Sequence, residues 1–326
     1  MEKHEDDDES RSCLRYSDIS ACLSSASDSE DEDGYLITRL KRKAVHDRKR
    51  KRSLCSSEEC EYLHYTIKHK TESTLDDVGL QMWSGSLILA DYFLSDCNRN
   101  VRGGVFEIGA GCGFLSLILS EVFEEVYCTD SSLPSLELAA HNAEVNDHVG
   151  YGRKRSNPRF LPFDWSEDTT AIFGNGANSA SKGHLSIDRE HHNKSQWRQE
   201  DFEYLRKCNV LVGADVVYNE EDVPYLIGLI EAFMKRPIAP EHHHLAVFAV
   251  DERKNFDASK MRVSSGAYEV FYLELKELCK RMGAFETDGK NRAMKMRLMD
   301  LSSIDKHIVF TRPSSLRVLE IFWLDV

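Results

Sequence analysis

The stretch VFEIGAGCGFLSLILSEVFEEVYCTD, residues 105–130, constrains the fold more than any other part of the chain. A short apolar run ends in Glu107. Glycines follow at 109, 111 and 113, then a helix-like apolar segment (114–123), then a second short apolar run ending in Asp130. Strand, glycine turn, helix and strand in that order make a βαβ unit, whose two strands lie parallel with the helix crossing over one face. The glycines let the main chain come close to a ligand. They read G-x-G-x-G, and Phe114 occupies the third position of the dinucleotide fingerprint, which weakens a nicotinamide reading. No Gly-Lys-Ser/Thr follows, so a phosphate loop is excluded.

The two acids narrow the ligand further. Glu107 ends the first strand where the loop turns, and a carboxylate there repels phosphate but accepts a cation. Asp130 ends the second strand, a place where a carboxylate grips ribose hydroxyls. The expected ligand has a ribose, a positive charge and no phosphate. S-adenosylmethionine has all three properties. A tight turn with no ligand is the alternative.

The remaining elements extend the pattern. An amphipathic helix is expected over 79–96, a helix over 133–146, strands over 159–165 and 208–219, a helix over 222–235, a strand over 243–253 and a helix over 268–283. HIVFTR (307–312) and RVLEIFWLDV (317–326) read as closing strands, antiparallel to the rest. Alternating strands and helices predict an α/β, Rossmann-like, mostly parallel sheet. The segment 166–201 is polar and rich in Gly, Ser, Asn and His, and residues 168–198 are expected to form an unstructured insertion.

Residues 1–60 show no hydrophobic period and are expected to be a mostly unstructured tail, acidic first and then basic, with local pairing at YLITRL (35–40), ahead of one domain over 61–326. Residues 1–33 carry twelve acidic and three basic side chains, whereas 39–52 carry nine basic and one acidic. The basic block reads as a signal for a nuclear import receptor, giving a nuclear protein with a share in the cytoplasm, against the plainer reading of a solvated linker. The net charge of −13 argues against direct nucleic-acid binding. Nine cysteines without a CxxC pair, an acidic N-terminus lacking an apolar leader and no membrane-length apolar run suggest a reduced, soluble, intracellular monomer. Neither Cys55 and Cys60 with His64 and His69, nor His184, His191 and His192, have convincing ligand spacing, so no metal is expected.

Three motifs in order resemble one known family. EIGAGCG followed by VYCTD resembles the cofactor motifs of the seven-β-strand methyltransferases. QMWSGSLILADYF before them and GADVVYN after them resemble the family 16, mostly protein-lysine, branch. The resemblance covers about 75–326 apart from the insertion. It implies a class I S-adenosylmethionine-dependent fold of seven strands with one antiparallel closing strand, and transfer of a methyl group to a protein lysine. It implies that Trp83 and Gly85 border the methionine end of the cofactor. Glu107, Gly109, Ala110, Gly111 and Gly113 would form the cofactor loop, and Asp130 would take the ribose hydroxyls. Asp164 and Trp165 would flank the adenine, and Ala214 would lie along the cofactor edge. Asp215 would orient the acceptor amine and Tyr218 would wall its channel. A catalytically silent cofactor-binding scaffold and a small-molecule methyltransferase are the alternatives.

Overall fold

The computed structural model describes residues 14–15, 29–43, 62–73, 77–95, 103–149, 156–167, 169–173, 197–205, 207–237, 243–252, 255–257, 262–283, 285–287 and 290–325. A hairpin comes first, β1 (Leu36–Lys43) with β2 (Tyr62–His69). The main body then runs α1 (Ser84–Leu94), β3 (Gly104–Ile108), α2 (Phe114–Leu119), β4 (Glu125–Asp130), α3 (Leu133–Val145) and β5 (Arg159–Pro162). It continues with β6 (Cys208–Ala214), α4 (Val223–Lys235), β7 (Leu245–Asp251), α5 (Gly266–Arg281), β8 (Phe285–Thr287), β9 (Lys290–Leu298) and β10 (Leu316–Asp325).

In space the main sheet runs β8-β9-β10-β7-β6-β3-β4-β5. β7, β6, β3, β4 and β5 are mutually parallel, and β10 closes antiparallel against β7. This is the expected seven-strand sheet, extended by the three-residue edge strand β8. Every residue of β3 is buried, as a strand covered on both faces requires. Alternate residues face opposite cores. Val105, Val212 and Val247 pack with α1 and α2, while Phe106, Leu211 and Phe248 pack with α4 and α5.

Four expectations differ from the structure. The pairing expected at 35–40 within the tail extends through the basic residues as β1, which pairs with β2 of the domain through eight residue pairs from Leu36–His69 to Lys43–Tyr62. The reason is a period of two hidden in the basic run: Thr38, Leu40 and Arg42 point inward while Arg39 and Lys43 stay exposed. Buried Arg42 donates to the Tyr65 hydroxyl at 3.1 Å and forms an ion pair with Glu121 just beyond α2. The second basic cluster, 48–52, lies outside the described residues.

Helix α1 is not amphipathic, because nearly all of it is buried. Its far side is covered by the segment expected to be a strand over 307–312, which is irregular apart from one bridge between Ile308 and Arg42. Asp91 on α1 fixes that cover: Oδ1 accepts the N–H groups of His307 (2.8 Å) and Ile308 (2.7 Å), and Oδ2 accepts from Arg312 at 2.7 Å. The strand in that part of the chain is instead β9, which pairs with β10. Finally, the insertion expected over 168–198 is anchored at both ends. Ile172 and Phe173 of a short helix are buried, and the Trp197 ring stacks on Phe106 and Tyr127 with centroids 6.3 Å from each. Residues 174–196 lie outside the described residues.

Candidate functional site

The site lies where β3, β4 and β6 end, at the carboxyl edge of the sheet, which is where open α/β folds hold ligands. The loop after β3 winds through three left-handed glycines: Gly109 (φ 58°), Gly111 (φ 55°) and Gly113 (φ 77°). At Gly111 a Cβ would come within 2.7 Å of the Gly79 carbonyl oxygen, and at Gly113 within 2.5 Å of Ala139 Cβ on α3. Both positions therefore exclude a side chain by contact as well as by conformation.

Asp130 fastens this loop. Its Oδ2 accepts the Gly111 N–H and its Oδ1 the Ser132 N–H, each at 2.9 Å. The Ser131 N–H is a further partner, and the carboxylate keeps acceptor capacity for a ligand hydroxyl. Glu107 lies beneath, 1% exposed, and accepts from the Ser116 hydroxyl. Burial, with the Asp130 charge adding to it, pushes its carboxyl up to about 8, and burial also raises that of Asp130.

β6 ends at Ala214. The next residue, Asp215, has φ 56°, the one left-handed non-glycine among the described residues. Its side chain joins three elements: Oδ2 accepts the Gly85 N–H at 2.6 Å, at the start of α1, and Oδ1 accepts the Asp251 N–H at 2.9 Å, at the end of β7. This is a structural role that the amine-orienting expectation for Asp215 did not include. Tyr218 is half exposed, and burial of its remainder and the nearby acids Asp222, Asp130 and Asp164 raise its hydroxyl pKa.

These elements enclose one cavity of about 890 Å3, within the size range of small-molecule sites. Ten of the thirteen residues singled out from sequence line it: Trp83, Glu107, Gly109, Ala110, Gly111, Asp130, Trp165, Ala214, Asp215 and Tyr218. Three do not. Gly85 supplies the N–H to Asp215, and Gly113 packs on α3. Asp164 Oδ1 accepts the Ser166 N–H (2.8 Å) and hydroxyl (2.6 Å) in a local turn.

Sequence reasoning missed two walls. One is Val78–Gly79, which leads into Trp83, whose indole N–H donates to the Val78 carbonyl at 3.1 Å. The other is the start of α5 with Ser265 before it, together with Glu220 and Glu221. The acidic run directly after GADVVYN was a readable signal for the last pair, whereas Val78 and Ser265 belong to no motif. Among the described residues the lining holds six acidic side chains (Glu107, which burial keeps protonated near neutral pH, with Asp130, Asp215, Glu220, Glu221 and Asp251) and no Lys, Arg or His. Such a cavity favours cations and opposes phosphates. The donor set therefore fits S-adenosylmethionine: carboxylates for its positive charges and hydroxyls, and aromatic surface from Trp83 and Trp165.

Sheet order, antiparallel closure and glycine loop together define the Rossmann-like fold of the S-adenosylmethionine-dependent methyltransferases. A family model described as lysine methyltransferase matches residues 66–179. The chain is 28% identical to methyltransferase-like protein 22 of Mus musculus over 239 residues, 73% of this chain and 54% of that protein. It is also 28% identical to methyltransferase-like protein 22 of Homo sapiens over 208 residues, 63% of this chain and 46% of that protein. EEF1A lysine methyltransferase 3 of Mus musculus is 25% identical over 208 residues, 57% of this chain and 72% of that protein. The chain spans about half the length of the first two relatives.

Proposed function

We propose that the protein transfers a methyl group from S-adenosylmethionine to a lysine side chain of a protein. The observation that carries this reading is the cavity lining, with six acidic side chains and no basic one among the described residues. Both the sulfonium cofactor and a lysine acceptor are cations. The family description and the name of the mouse EEF1A lysine methyltransferase 3 support the lysine part of the reading.

Bound there, the cofactor supplies an activated methyl group and a neutral leaving thioether. The chain's own contribution is positioning, since in-line transfer depends on orientation. The glycine loop and Asp130 hold the nucleoside end, and Trp165 offers it an aromatic face. Glu220 and Glu221 attract an incoming ammonium. Lysine must shed a proton from a reference pKa near ~10.4, and entry between aromatic walls beside a sulfonium disfavours the charged form. The half-exposed ring of Tyr218 walls that approach.

The test is labelling of cell extracts with S-adenosylmethionine carrying a radioactive methyl group, followed by amino-acid analysis. Methyl-lysine that depends on the wild-type protein and vanishes with Gly111→Val is expected. Tight cofactor binding without any protein label would overturn the reading in favour of a silent scaffold. Label confined to small molecules would overturn the protein acceptor.

A further inference from the structure

Helix α3 presents two buried asparagines, Asn142 and Asn146, one turn apart toward β2. Asn146 treats Thr66 as a neighbouring strand would: Oδ1 accepts its N–H at 2.8 Å and Nδ2 donates to its carbonyl at 2.7 Å. Asn142 does the same to Lys68, at 2.8 and 2.9 Å. The two amides thus cap the open edge of β2 with four hydrogen bonds. Their remaining hydrogens go to different places. Asn146 Nδ2 donates within its own helix, to the Asn142 carbonyl at 2.7 Å. Asn142 Nδ2 donates to the Cys112 carbonyl at 2.8 Å, in the glycine loop that lines the cavity.

A second contact reaches the same loop from the same side. The Lys70 N–H, just beyond β2, donates to the Leu80 carbonyl at 2.8 Å, and this holds the turn that places the Gly79 carbonyl against Gly111. The N-terminal hairpin therefore reaches the loop through two relays, one by way of Asn142 on α3 and one by way of Leu80 and Gly79. Three of the loop's five residues are glycines with positive φ, a conformation glycine adopts freely but does not hold by itself, so outside contacts must fix the loop.

We propose that Asn142 is a positioning residue for the cofactor loop, through which docking of the β1–β2 hairpin and binding of the cofactor strengthen one another. The inference rests on the reading that the glycine loop holds S-adenosylmethionine. A loop fixed beforehand loses less freedom when the ligand binds. Coupling between two events is reciprocal, so the cofactor must in turn tighten the hairpin.

The two asparagines make a matched pair. Asn146→Ala removes the same pairing with β2 and leaves the Cys112 bond intact. Asn142→Asp keeps the acceptor for the Lys68 N–H and loses both Nδ2 donations, to the Lys68 carbonyl and to Cys112. Calorimetric titration with S-adenosylmethionine should show about three- to tenfold weaker binding for Asn142→Ala and Asn142→Asp, the range for one lost hydrogen bond. Asn146→Ala should bind like wild type even with a comparable fall in melting temperature. Equal effects at both positions would overturn the proposal. Should an Asn142 variant not fold, hydrogen exchange on the wild type decides: added cofactor should slow exchange at the Thr66 and Lys68 amides, and unchanged rates refute the coupling. Wild type that binds no cofactor at all would instead refute the underlying reading of the loop.

Discussion

The Asp215 carboxylate accepts the Gly85 N–H at 2.6 Å, across 130 positions of sequence. With its other oxygen on the Asp251 N–H, one side chain fixes the start of α1 to the ends of β6 and β7. Trp83, at the cavity, sits two residues before Gly85. Asp215 therefore holds a wall of the cavity in addition to facing it. Sequence alone suggests that Asp215→Asn spares cofactor binding and abolishes turnover.

The structure changes that expectation. Asparagine tolerates the left-handed backbone at 215, so φ is not the difficulty. Its amide, however, accepts from one of the two N–H groups and turns an NH2 toward the other. A buried donor left unmatched costs ~1–3 kcal/mol. Asp215→Asn is expected to lower unfolding free energy by about that amount and to weaken cofactor binding together with methylation. Denaturant unfolding and calorimetry check this. Unaltered cofactor affinity with lost methylation would return Asp215 to the acceptor side alone.

Glu107 gives a pH dependence with a definite sign. Burial raises its carboxyl from 4.5 to about 8 in the folded protein. The folded state then holds a proton that the unfolded state releases, so the associated stability is full below 4.5 and lost as pH rises toward about 8. Glu107→Gln, which stays neutral, should flatten this part of the stability profile. Buried Asp91 and Asp130 are raised too and titrate in both proteins, so the difference between the two profiles isolates Glu107. Parallel profiles from pH 5 to 8 would show that Glu107 is ionised in the apo fold.

How far the sequence could be read depended on how local the cause was. β3, its loop and β4 were legible because a strand buried on both faces is a continuous apolar run and because left-handed turns call for glycine. β9 was not, since its NRAMKMR core alternates basic and apolar residues and its strand character comes from pairing with β10. Residues 307–312 look like a strand by composition but serve to cover α1. The bonds from Asp215 to Gly85 and from Asn142 to Cys112 join distant segments: the motifs mark Asp215, Gly85 and Cys112 but not their partners, and Asn142 lies in no motif.

Arg42 separates folding from transport. It lies within the basic block 39–52 that reads as an import signal, yet it is 2% exposed and paired with Glu121. Removing one partner of a buried pair costs ~3–5 kcal/mol. Arg42→Ala should therefore lower thermal stability sharply, whereas Lys43→Ala at an exposed position should not. Nuclear import is a proposal resting on the basic composition, and its clean test spares β1. Alanines at Arg48–Arg52 should leave the melting temperature unchanged and move a tagged protein to the cytoplasm. An unchanged distribution removes the import signal from this segment.

The last prediction concerns the two carboxylates that follow Tyr218. Glu220 and Glu221 line the cavity, Glu220 beside the start of α5, and no described basic side chain lines the cavity with them. Their contribution to an incoming ammonium is long-range attraction, which acts on encounter more than on the chemical step. Glu220→Gln with Glu221→Gln should raise KM for a lysine-bearing protein acceptor several-fold and leave kcat nearly unchanged. It should also reduce the sensitivity of kcat/KM to added salt, because screened attraction is what was removed. Affinity for S-adenosylmethionine should stay close to wild type, since Asp130 and Glu107 are intact. Steady-state kinetics at two ionic strengths beside calorimetry separate these terms. A fall in kcat at saturating acceptor would place one of the two carboxylates at the reacting amine, and an unaltered KM would remove both from acceptor recognition.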